Sequence, residues 1–549
     1  MMSRYKCIKD PIYGYIKFEK EMFTKIIDTP MFQRLRRIEQ TGYSALFPSS
    51  THNRFVHSLG VFHLARLMVK TLQNVKEFQS KEREKQFRLL SLAALLHDVG
   101  HAPFSHSTED YYLGPENNYS MLHQELAKAI SKDPAIIKSL CNDFNSRRKN
   151  DGVAKPHEIM SAIVGIKKFL SRYPAFDDDA SRSFFARAIC GYRYSSKCKL
   201  RFMNAGKNDY TFSNCLISIL NSTVLDVDKL DYLLRDAYLL GFDTVRVDYQ
   251  RLVGSIMLMR TAKKNGYEVV FGKNAVSVLE NVVYARDAER KWLQGHPIVQ
   301  LEESILREAI DTVLKERKID CRRLFCYESL CDIGREIEPG VTIRLLSDAD
   351  IIYMLKQSKS KKAELYFDRS SWPKPLWKSE FEYRAIFKSE TVGPETLNKI
   401  YTALDNLCAY VENQEQYEGY LDEKILSEME KSLGSIRRTK DKKIHTAHLE
   451  VLRLLKSVAD KMNVEFRFRI IRSTEFRSGF SNDDLSEIKV RLNDKSLPVK
   501  FGDVDSTLTS RRKMPGDPFY LYSANKIIGS NDAARILSNE LCSYFVKNK

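Results

Sequence analysis

Histidine and aspartate residues recur in the N-terminal part of the chain at spacings that suit metal binding. Seven of the eleven histidines lie between His52 and His123. An apolar run ends in the adjacent pair His97-Asp98, and glycine and proline follow, so we expect a helix that ends at this pair. An imidazole beside a carboxylate suits Mn²⁺, Fe²⁺, Zn²⁺ or, less well, Mg²⁺. Two ligands do not hold a metal firmly, so the sequence predicts further ligands elsewhere.

Two other segments offer those ligands. His57 heads an apolar helical segment upstream of the pair. Downstream, Asp228, Tyr232 and Asp236 are spaced four residues apart and share one helix face. Carboxylates in an otherwise apolar helix are costly to bury unless they serve a metal or a ligand. Each piece alone also fits a core histidine or a solvated acidic face, but the ordered combination indicates a metal site.

Helical periodicity dominates the segments that would position these residues. Apolar residues recur at spacings of three and four over residues 62–72, 87–96, 224–240 and 276–293. Short β-like runs cover residues 267–271 and 464–471, a turn is expected at 337–341, and basic loops at 357–363 and 437–443. We predict a mainly α fold, with a helical catalytic core in residues 1–345. Residues 346–549 would form a smaller α+β C-terminal lobe that is regulatory or serves oligomerisation.

Composition narrows the class of protein. The 549 residues are 43% hydrophobic, which is ample for a large core. The net charge of +17 favours nucleotides, nucleic acid or an acidic membrane surface as partners, and also fits a plain basic surface. No apolar run approaches the ~20 residues of a membrane helix, and the start is unlike a signal peptide. Ten scattered cysteines are interpreted as reduced thiols, so we expect a cytoplasmic protein without membrane contact.

Five stretches together resemble the HD-domain superfamily, in particular the branch of bacterial deoxynucleotide triphosphohydrolases and the SAM-and-HD-domain enzyme of animals. They are Asp10-Pro-Ile-Tyr-Gly14, Ile27-Asp-Thr-Pro-Met-Phe-Gln-Arg-Leu-Arg36, His52-Asn-Arg-Phe-Val-His-Ser-Leu-Gly60, His97-Asp-Val-Gly-His-Ala-Pro-Phe-Ser-His106 and Asp226-Val-Asp-Lys-Leu-Asp-Tyr232. The resemblance runs through about residue 390, and we expect no SAM domain before residue 1. It implies a metal-dependent HD-type helical core.

The resemblance also implies roles for single residues in metal binding and catalysis. The implied metal ligands are His57, His97, Asp98 and Asp228, the last in preference to Asp226. The implied active-site group consists of His101, His106, Glu109 and His123. In that group His106 is the general acid for the leaving 5′ oxygen, and Glu109, in place of the family's aspartate, is its carboxylate partner.

Substrate and regulatory positions follow from the same resemblance. The residues implied to contact phosphate are Arg54, Lys229 and Lys291. Those implied to lie near the sugar or nucleoside are Gln40, Thr41, Tyr232, Asp236 and His296. A family site for an activating nucleotide matches Asp28, Gln33 and Arg36, which equally fit a helix cap and surface polar residues.

Some positions differ from the family pattern. Thr41 replaces an apolar residue that packs where a ribose 2′-hydroxyl would lie, and threonine could accommodate or hydrogen-bond that hydroxyl. The selectivity between deoxyribose and ribose is therefore open. Tyr13 replaces the usual histidine, and Lys9 replaces an asparagine that takes part in nucleotide activation.

The implied activity is metal-dependent hydrolysis of (deoxy)nucleoside triphosphates to nucleoside and inorganic triphosphate, with nucleotide activation and a homo-oligomer as further expectations. A role in nucleotide-pool control or antiviral defence fits such an enzyme. Two alternatives stay open. One is an HD-type phosphodiesterase or nuclease, and the other is a nucleotide sensor that binds nucleic acid through aromatic and basic segments such as residues 466–472 and 476–480.

Overall fold

A computed structural model describes residues 5–42, 46–146, 154–202, 210–241, 246–261, 266–387, 393–412, 417, 419–434, 436, 438–472, 482–493, 497–504, 519–524 and 530–547. The chain forms two compact units. The first comprises residues 1–286, 313–357 and 480–510, and the second comprises residues 287–312, 358–479 and 511–549. Both are discontinuous in sequence, and the expected functional division near residue 345 stays a prediction.

The protein is mainly α-helical with a smaller α+β region, as predicted. The described helices of seven residues or more are α1 (Arg54–Gln73), α2 (Lys81–Leu96), α3 (Tyr119–Ile130), α4 (Pro134–Ser146), α5 (Pro156–Val164), α6 (Asp179–Cys190), α7 (Tyr210–Leu220), α8 (Val227–Leu240), α9 (Val276–Glu289), α10 (Pro297–Glu316), α11 (Asp348–Gln357), α12 (Lys361–Phe367), α13 (Glu380–Phe387), α14 (Pro394–Val411), α15 (Glu423–Leu433), α16 (Thr439–Lys461) and α17 (Ser530–Lys547).

Three packed helices form the centre of the first unit. The side chain of Asn53 accepts a hydrogen bond from the Val56 amide and so caps α1, and Ser80 caps α2 in the same way. Helix α1 is buried on nearly every side, and it packs against both α2 and α8. The second half of α2 is also buried, which fixes the position of the His97-Asp98 pair at its end. The sequence segments with the predicted ligands therefore meet in one core.

The first unit also contains short sheets. Strands β1 (Tyr5–Asp10) and β2 (Gly14–Glu19) form an antiparallel hairpin, in which Gly14 has a φ of +73° that suits glycine. A four-stranded sheet consists of β3 (Ile256–Arg260), β4 (Tyr267–Gly272), β10 (Lys489–Arg491) and β11 (Val499–Lys500). Its strand order is β11, β10, β4, β3, with β10 parallel to β4. Strands β5 (Arg335–Glu338) and β6 (Val341–Ile343) form a second hairpin.

The second unit combines helices with one antiparallel sheet. The sheet consists of β7 (Lys374–Pro375), β8 (Leu421–Asp422), β9 (Arg467–Arg472) and β12 (Phe519–Ser523). Its strand order is β7, β12, β9, β8. Trp377 is buried beside Phe519 and donates from its indole nitrogen to the Phe519 carbonyl at 3.0 Å. An aromatic core therefore supports this sheet.

Most of the predicted elements are confirmed, and several boundaries differ. The strand expected at 464–471 begins at Arg467, and helix α12 begins at Lys361, within the basic loop expected at 357–363. The expected helix at 224–240 begins only at Val227, because Asp226 accepts from the Lys229 amide and caps it. The basic loop expected at 437–443 is wrong for residues 439–443, since helix α16 begins at Thr439. The turn at 337–341 is confirmed between β5 and β6. None of the described helices is long and apolar enough to cross a membrane.

Candidate active site

Two histidines present the same ring nitrogen to one point in the core. His57 lies in the first turn of α1, with Nδ1 2.8 Å from Asp231 Oδ2 and Nε2 2.9 Å from Asp228 Oδ1. His97 Nδ1 donates to the Ala94 carbonyl at 3.0 Å. Because a carbonyl only accepts, the proton of neutral His97 is on Nδ1, and Nε2 is left to bind a metal. The two Nε2 atoms lie 3.3 Å apart.

Two carboxylates complete this group. Asp98 Oδ1 lies 3.4 Å from His97 Nε2, and Asp98 Oδ2 lies 3.6 Å from His57 Nε2. The ligand atoms of His57, His97 and Asp228 are all within 4.8 Å of one another. The structure thus brings together the four residues predicted as metal ligands. Two imidazoles and two carboxylates form a mixed nitrogen and oxygen donor set that fits a divalent cation.

The electrostatics of the group favour charged side chains. Burial lowers the pKa of His57, but the hydrogen bonds to Asp228 and Asp231 outweigh it and raise this pKa to about 9. Burial raises the pKa of Asp98, but Arg54 and His97 hold it well below its ordinary value. The pKa of Asp228 is likewise held well below its ordinary value by His57 and His97. The carboxylates are therefore ionised, and His57 carries a proton that an incoming metal must displace.

Asp231 is a functional residue that the sequence analysis did not assign. It lies three residues after Asp228 on α8 and is fully buried. Besides His57, it accepts a hydrogen bond from the Tyr13 hydroxyl at 2.7 Å and two from the Arg235 guanidinium at 2.9 and 3.0 Å. Tyr13, which differs from the family pattern, thus supports the carboxylate that orients His57. The i, i+3 spacing from Asp228 is the sequence signal that could have found Asp231.

A second group of histidines surrounds Glu109. His106 Nδ1 lies 3.2 Å from Glu109 Oε1, and His157 Nδ1 contacts the other carboxylate oxygen. The rings of His101 and His157 stack with centroids 3.9 Å apart. The side chain of His106 is 48% exposed, whereas that of His101 is 0% exposed, so His106 is the one accessible to a substrate. Burial and Lys155 lower the pKa of His106 to about 4, although the Glu109 carboxylate beside it raises this pKa.

The hydrogen bonds of His123 go to residues on other elements. One ring nitrogen of His123 lies 2.8 Å from Asn145 Oδ1, and the other lies 2.8 Å from the Tyr192 hydroxyl. His157 lies beside His101 and His106. The active-site role expected for His123 stays a prediction. The sequence contains no signal that ranks His157 above His123.

Helix α5 packs closely against the loop after α2, and this packing places His157 beside Glu109 and His101. The Gly100 amide donates to the Ser161 hydroxyl on α5 at 2.9 Å. A Cβ atom at Gly100 would lie 2.3 Å from the Ser161 backbone nitrogen, so only glycine permits this approach. The glycine of the His-Asp motif is therefore required by the contact between two elements.

Comparison with known proteins agrees with this geometry. A family model described as "HD domain" matches residues 54–150, the segment that contains His57, the His97-Asp98 pair and His106. The chain carries an HD domain. Asp228 and His157 lie outside the matched residues, yet the structure places each of them against residues of the HD domain.

Relatives of the HD domain include characterised and uncharacterised proteins. The deoxynucleoside triphosphate triphosphohydrolase SAMHD1 of Bos taurus is 32% identical over 55% of this chain and 47% of its own length. The uncharacterized protein YwfO of Bacillus subtilis is 27% identical over 56% of either protein. The chain thus spans about half the length of such curated relatives. A hypothetical protein from Aquifex aeolicus, solved as a crystal structure, shares the fold with a TM-score of 0.54 and 20% identity, covering 98% of this chain and 100% of that one.

Of the three predicted substrate residues that precede His57 in the chain, Arg54 contacts a predicted metal ligand directly. Arg54 is buried and donates to Asp98 Oδ2 at 2.8 Å, to Ser105 Oγ at 2.9 Å and to the Gln40 carbonyl at 3.0 Å. The buried Gln40 Oε1 has no hydrogen-bond partner among the described residues. Thr41 Oγ1 lies 3.3 Å from Ser50 Oγ.

The other predicted substrate residues of the first unit lie on α8. Lys229 Nζ donates to Asp226 Oδ2 at 2.6 Å and to the Ser222 carbonyl at 2.8 Å. Asp236 is buried, with Oδ1 2.7 Å from His52 Nε2. Tyr232 is half-buried on the same helix. Helix α8 therefore carries a metal ligand at its start and the expected sugar contacts one and two turns later.

Two groups of predicted residues are not tested by this geometry. Lys291 and His296 belong to the second unit, so their contact with substrate stays a prediction. Gln33 donates to the Ile27 carbonyl at 2.7 Å and accepts from Arg36 Nε at 2.8 Å. Asp28 is exposed, 3.6 Å from Lys6 Nζ, and the following helical turn is capped by Thr29. These contacts fit surface polar residues and also leave the nucleotide hypothesis open.

Proposed function

We propose that this protein hydrolyses (deoxy)nucleoside triphosphates to nucleoside and inorganic triphosphate in a metal-dependent reaction. The observation that carries the proposal is the juxtaposition of two groups. One is the metal-ligand set of His57, His97, Asp98 and Asp228. The other is the accessible His106 with its carboxylate partner Glu109. The name of the SAMHD1 relatives supports the choice of substrate.

The ligand set suits the first part of the reaction. When bound, a divalent cation supplies Lewis acidity, which activates water near neutral pH and offsets charge on the phosphoryl group. The protein holds the two imidazole Nε2 atoms and the two carboxylates in place before binding, because Asp231 and the Ala94 carbonyl fix the ring orientations. The donor set is compatible with Mn²⁺, Fe²⁺, Zn²⁺ or Mg²⁺.

His106 suits the second part, in which the 5′ oxygen leaves. A protonated imidazole can donate its proton to a developing alkoxide, which contributes about 10²–10⁴ in rate. The Glu109 carboxylate orients the His106 ring and raises its pKa, although burial and Lys155 lower this pKa to about 4 in the protein without substrate. Glu109 is held ionised by His157 and His106, since both lower its pKa well below the ordinary value against the effect of burial. Arg54, Lys229 and Lys291 are the proposed phosphate contacts.

Recognition of the nucleoside belongs to the same proposal. Gln40, Thr41, Tyr232, Asp236 and His296 are the proposed contacts to sugar and base. Because Thr41 can hydrogen-bond a 2′-hydroxyl, ribonucleotides belong among the substrates to be tested. Activation by a nucleotide at Asp28, Gln33 and Arg36 and assembly into a homo-oligomer complete the hypothesis.

A product assay tests the reaction. Purified protein with Mn²⁺ or Mg²⁺ is incubated with each deoxynucleoside and ribonucleoside triphosphate, singly and in pairs. Nucleoside together with inorganic triphosphate is the expected result. Asp228→Ala should lose metal and activity, and His106→Ala should keep metal and lose turnover. Full activity of either variant contradicts the site, and no turnover with any pair despite bound metal favours a phosphodiesterase, a nuclease or a nucleotide sensor.

The segment 466–472 does not favour the nucleic-acid alternative. Phe466 and Phe468 are buried, and Phe468 lies in strand β9 of the second unit. Arg469 is buried and donates to the Gly419 carbonyl at 3.1 Å. Residues in the interior of a unit cannot stack with bases or contact phosphates. The companion segment 476–480 lies outside the described residues.

A further inference from the structure

Asp348 contacts two segments of the active site from a distant part of the chain. It is the first residue of α11. Its Oδ1 accepts a hydrogen bond from the Phe104 amide at 2.8 Å, and its Oδ2 accepts one from the Glu39 amide at 2.8 Å. One carboxylate thus joins the loop after α2 to the segment before α1.

The two amides that Asp348 binds belong to segments with different proposed tasks. Phe104 lies two residues before His106, the proposed general acid. Glu39 directly precedes Gln40, whose buried Oε1 is unpaired within the described part of the chain. The separation of the proton donor from the substrate contact therefore depends on the position of this carboxylate.

The loop that carries His106 has a backbone that must be held by its surroundings. Phe104 and Ser105 have φ angles of +58° and +55°, in the left-handed region that non-glycine residues seldom adopt. Each such residue costs on the order of 1–3 kcal/mol and persists only when other contacts fix it. Here Asp348 holds the Phe104 amide, and Ser105 Oγ donates to the Glu39 carbonyl at 2.5 Å and accepts from Arg54.

Asp348 is itself fixed by its neighbours. The buried Arg34 donates to the Leu346 carbonyl at 2.6 Å, to the Val99 carbonyl at 3.3 Å and also to the His101 carbonyl. Arg34 thus joins the residues before α11 to the same loop that Asp348 holds. Asp350 accepts from both the amide and the hydroxyl of Ser347 at 2.8 Å, which secures the start of the helix. Because Arg34 and Asp350 hold the backbone just before Asp348, the Asp348 carboxylate can hold the two active-site segments at a fixed distance.

We propose that Asp348 is a positioning residue, which sets the distance between the His106 loop and the Gln40 segment through its two backbone hydrogen bonds. This inference rests on the proposed function, because its catalytic consequence requires the triphosphohydrolase reaction. The two hydrogen bonds of the Asp348 side chain within the described residues go to backbone amides and not to a predicted metal ligand or substrate contact, and Asp348 lies outside the matched HD-domain residues. A misplacement of reacting groups by about 1 Å costs on the order of 10²-fold in rate, and the predicted effect of losing Asp348 has this size.

The test compares Asp348→Ala and Asp348→Asn with the matched control Asp350→Asn. Asp350 secures the same helix end but reaches neither active-site segment in the hydrogen bonds described above. For Asp348→Ala we expect kcat to fall about 10²-fold, with KM changed less than about threefold and Mn²⁺ affinity unchanged. Asp348→Asn keeps one acceptor, so its kcat should lie between those of Asp348→Ala and the wild type. Asp350→Asn keeps an acceptor for Ser347 and removes neither hydrogen bond to the active-site segments, so it should lower kcat less than Asp348→Asn does.

Hydrogen–deuterium exchange provides a readout that is independent of turnover. In Asp348→Ala, peptides that cover residues 36–42 and 102–109 should lose protection together, whereas peptides in the middle of α1 should not change. A variant that keeps kcat within twofold of the wild type, or that loses protection throughout the first unit, overturns the proposal. If Asp348→Ala does not fold, the same two criteria apply to Asp348→Asn. If Asp348→Ala loses protection in both peptides but the wild type has no triphosphohydrolase activity, only the proposed function is refuted.

Discussion

Asp231 shows how a residue behind the metal ligands determines what they can do. It holds His57 through Nδ1, so that Nε2 faces the other ligands. Such an outer carboxylate fixes the tautomer and orientation of a ligating imidazole. Arg235 and Tyr13 fix Asp231 in turn. The metal site is therefore built from a core of hydrogen-bonded side chains rather than from the four ligands alone.

Replacing Asp231 should weaken metal binding. Asp231→Asn keeps the size of the side chain but removes the charge that orients His57, and we expect the Mn²⁺ affinity to fall about 10–100-fold. Tyr13→Phe is the control, since it removes one hydrogen bond to Asp231 and leaves the charge. It should change the affinity much less. Titration calorimetry measures both, and wild-type affinity in Asp231→Asn would show that the carboxylate does not support the site.

The affinity for metal should also depend on pH. The pKa of His57 is raised to about 9, so its proton is bound below this pH and must leave when a cation binds. We expect the apparent Mn²⁺ affinity to rise about tenfold per pH unit from pH 6 to pH 8. Calorimetry in buffers of different ionisation enthalpy should show proton release on binding. An affinity that is constant over this range would contradict a protonated His57.

At the level of helices, α5 supplies a residue that the motif segment lacks. It carries His157 into the space between His101 and Glu109, and the close approach at Gly100 allows it. On helix α3, His123 has hydrogen-bond partners in Asn145 and Tyr192. The packing of the helices therefore decides which residues each of the two histidines contacts.

Two substitutions distinguish these helices. His157→Ala removes a partner of the Glu109 carboxylate, so we expect kcat to fall by about 10²-fold or more with metal binding retained. His123→Ala should leave kcat within a few-fold of the wild type but lower stability by about 1–3 kcal/mol, because two polar groups lose their partner. Steady-state kinetics and thermal unfolding measure the two effects. A large loss of kcat in His123→Ala, with kcat retained in His157→Ala, would instead support the active-site role predicted for His123.

At the scale of the whole chain, the proposal includes activation by a nucleotide and assembly into a homo-oligomer. Asp28, Gln33 and Arg36 lie in the first unit, and Lys291 and His296 lie in the second. We expect a nucleotide pair to raise both turnover and molecular mass if the regulatory hypothesis holds. Arg36→Ala should abolish the mass change but keep metal binding, with light scattering as the measurement. A constant mass with every nucleotide would remove the regulatory site from the proposal.

Local patterns in the sequence predicted much of the fold and of the metal site. Apolar spacing predicted the helices around His57, His97 and Asp228, since burying one helix face is a local requirement that leaves a periodic trace. The ordered His, His-Asp and Asp segments indicated a metal site because these residue types are metal ligands, and the family resemblance implied which four residues bind the metal. The basic loop at 437–443 was mispredicted because charged residues suit an exposed helix end as well as a loop.

Tertiary structure alone decided the rest. Asp348 lies some 240 residues from His106 in the chain, and Asp231 and His157 are single polar residues without a distinctive local pattern. Their roles come from contacts between elements that are distant in sequence, and such contacts depend on which helix packs against which loop. The sequence by itself therefore determined the chemistry available to this protein. Packing decided which carboxylates and histidines were brought together to carry it out. A polar side chain needs a partner only when it is buried, and these side chains become buried only when the helices pack.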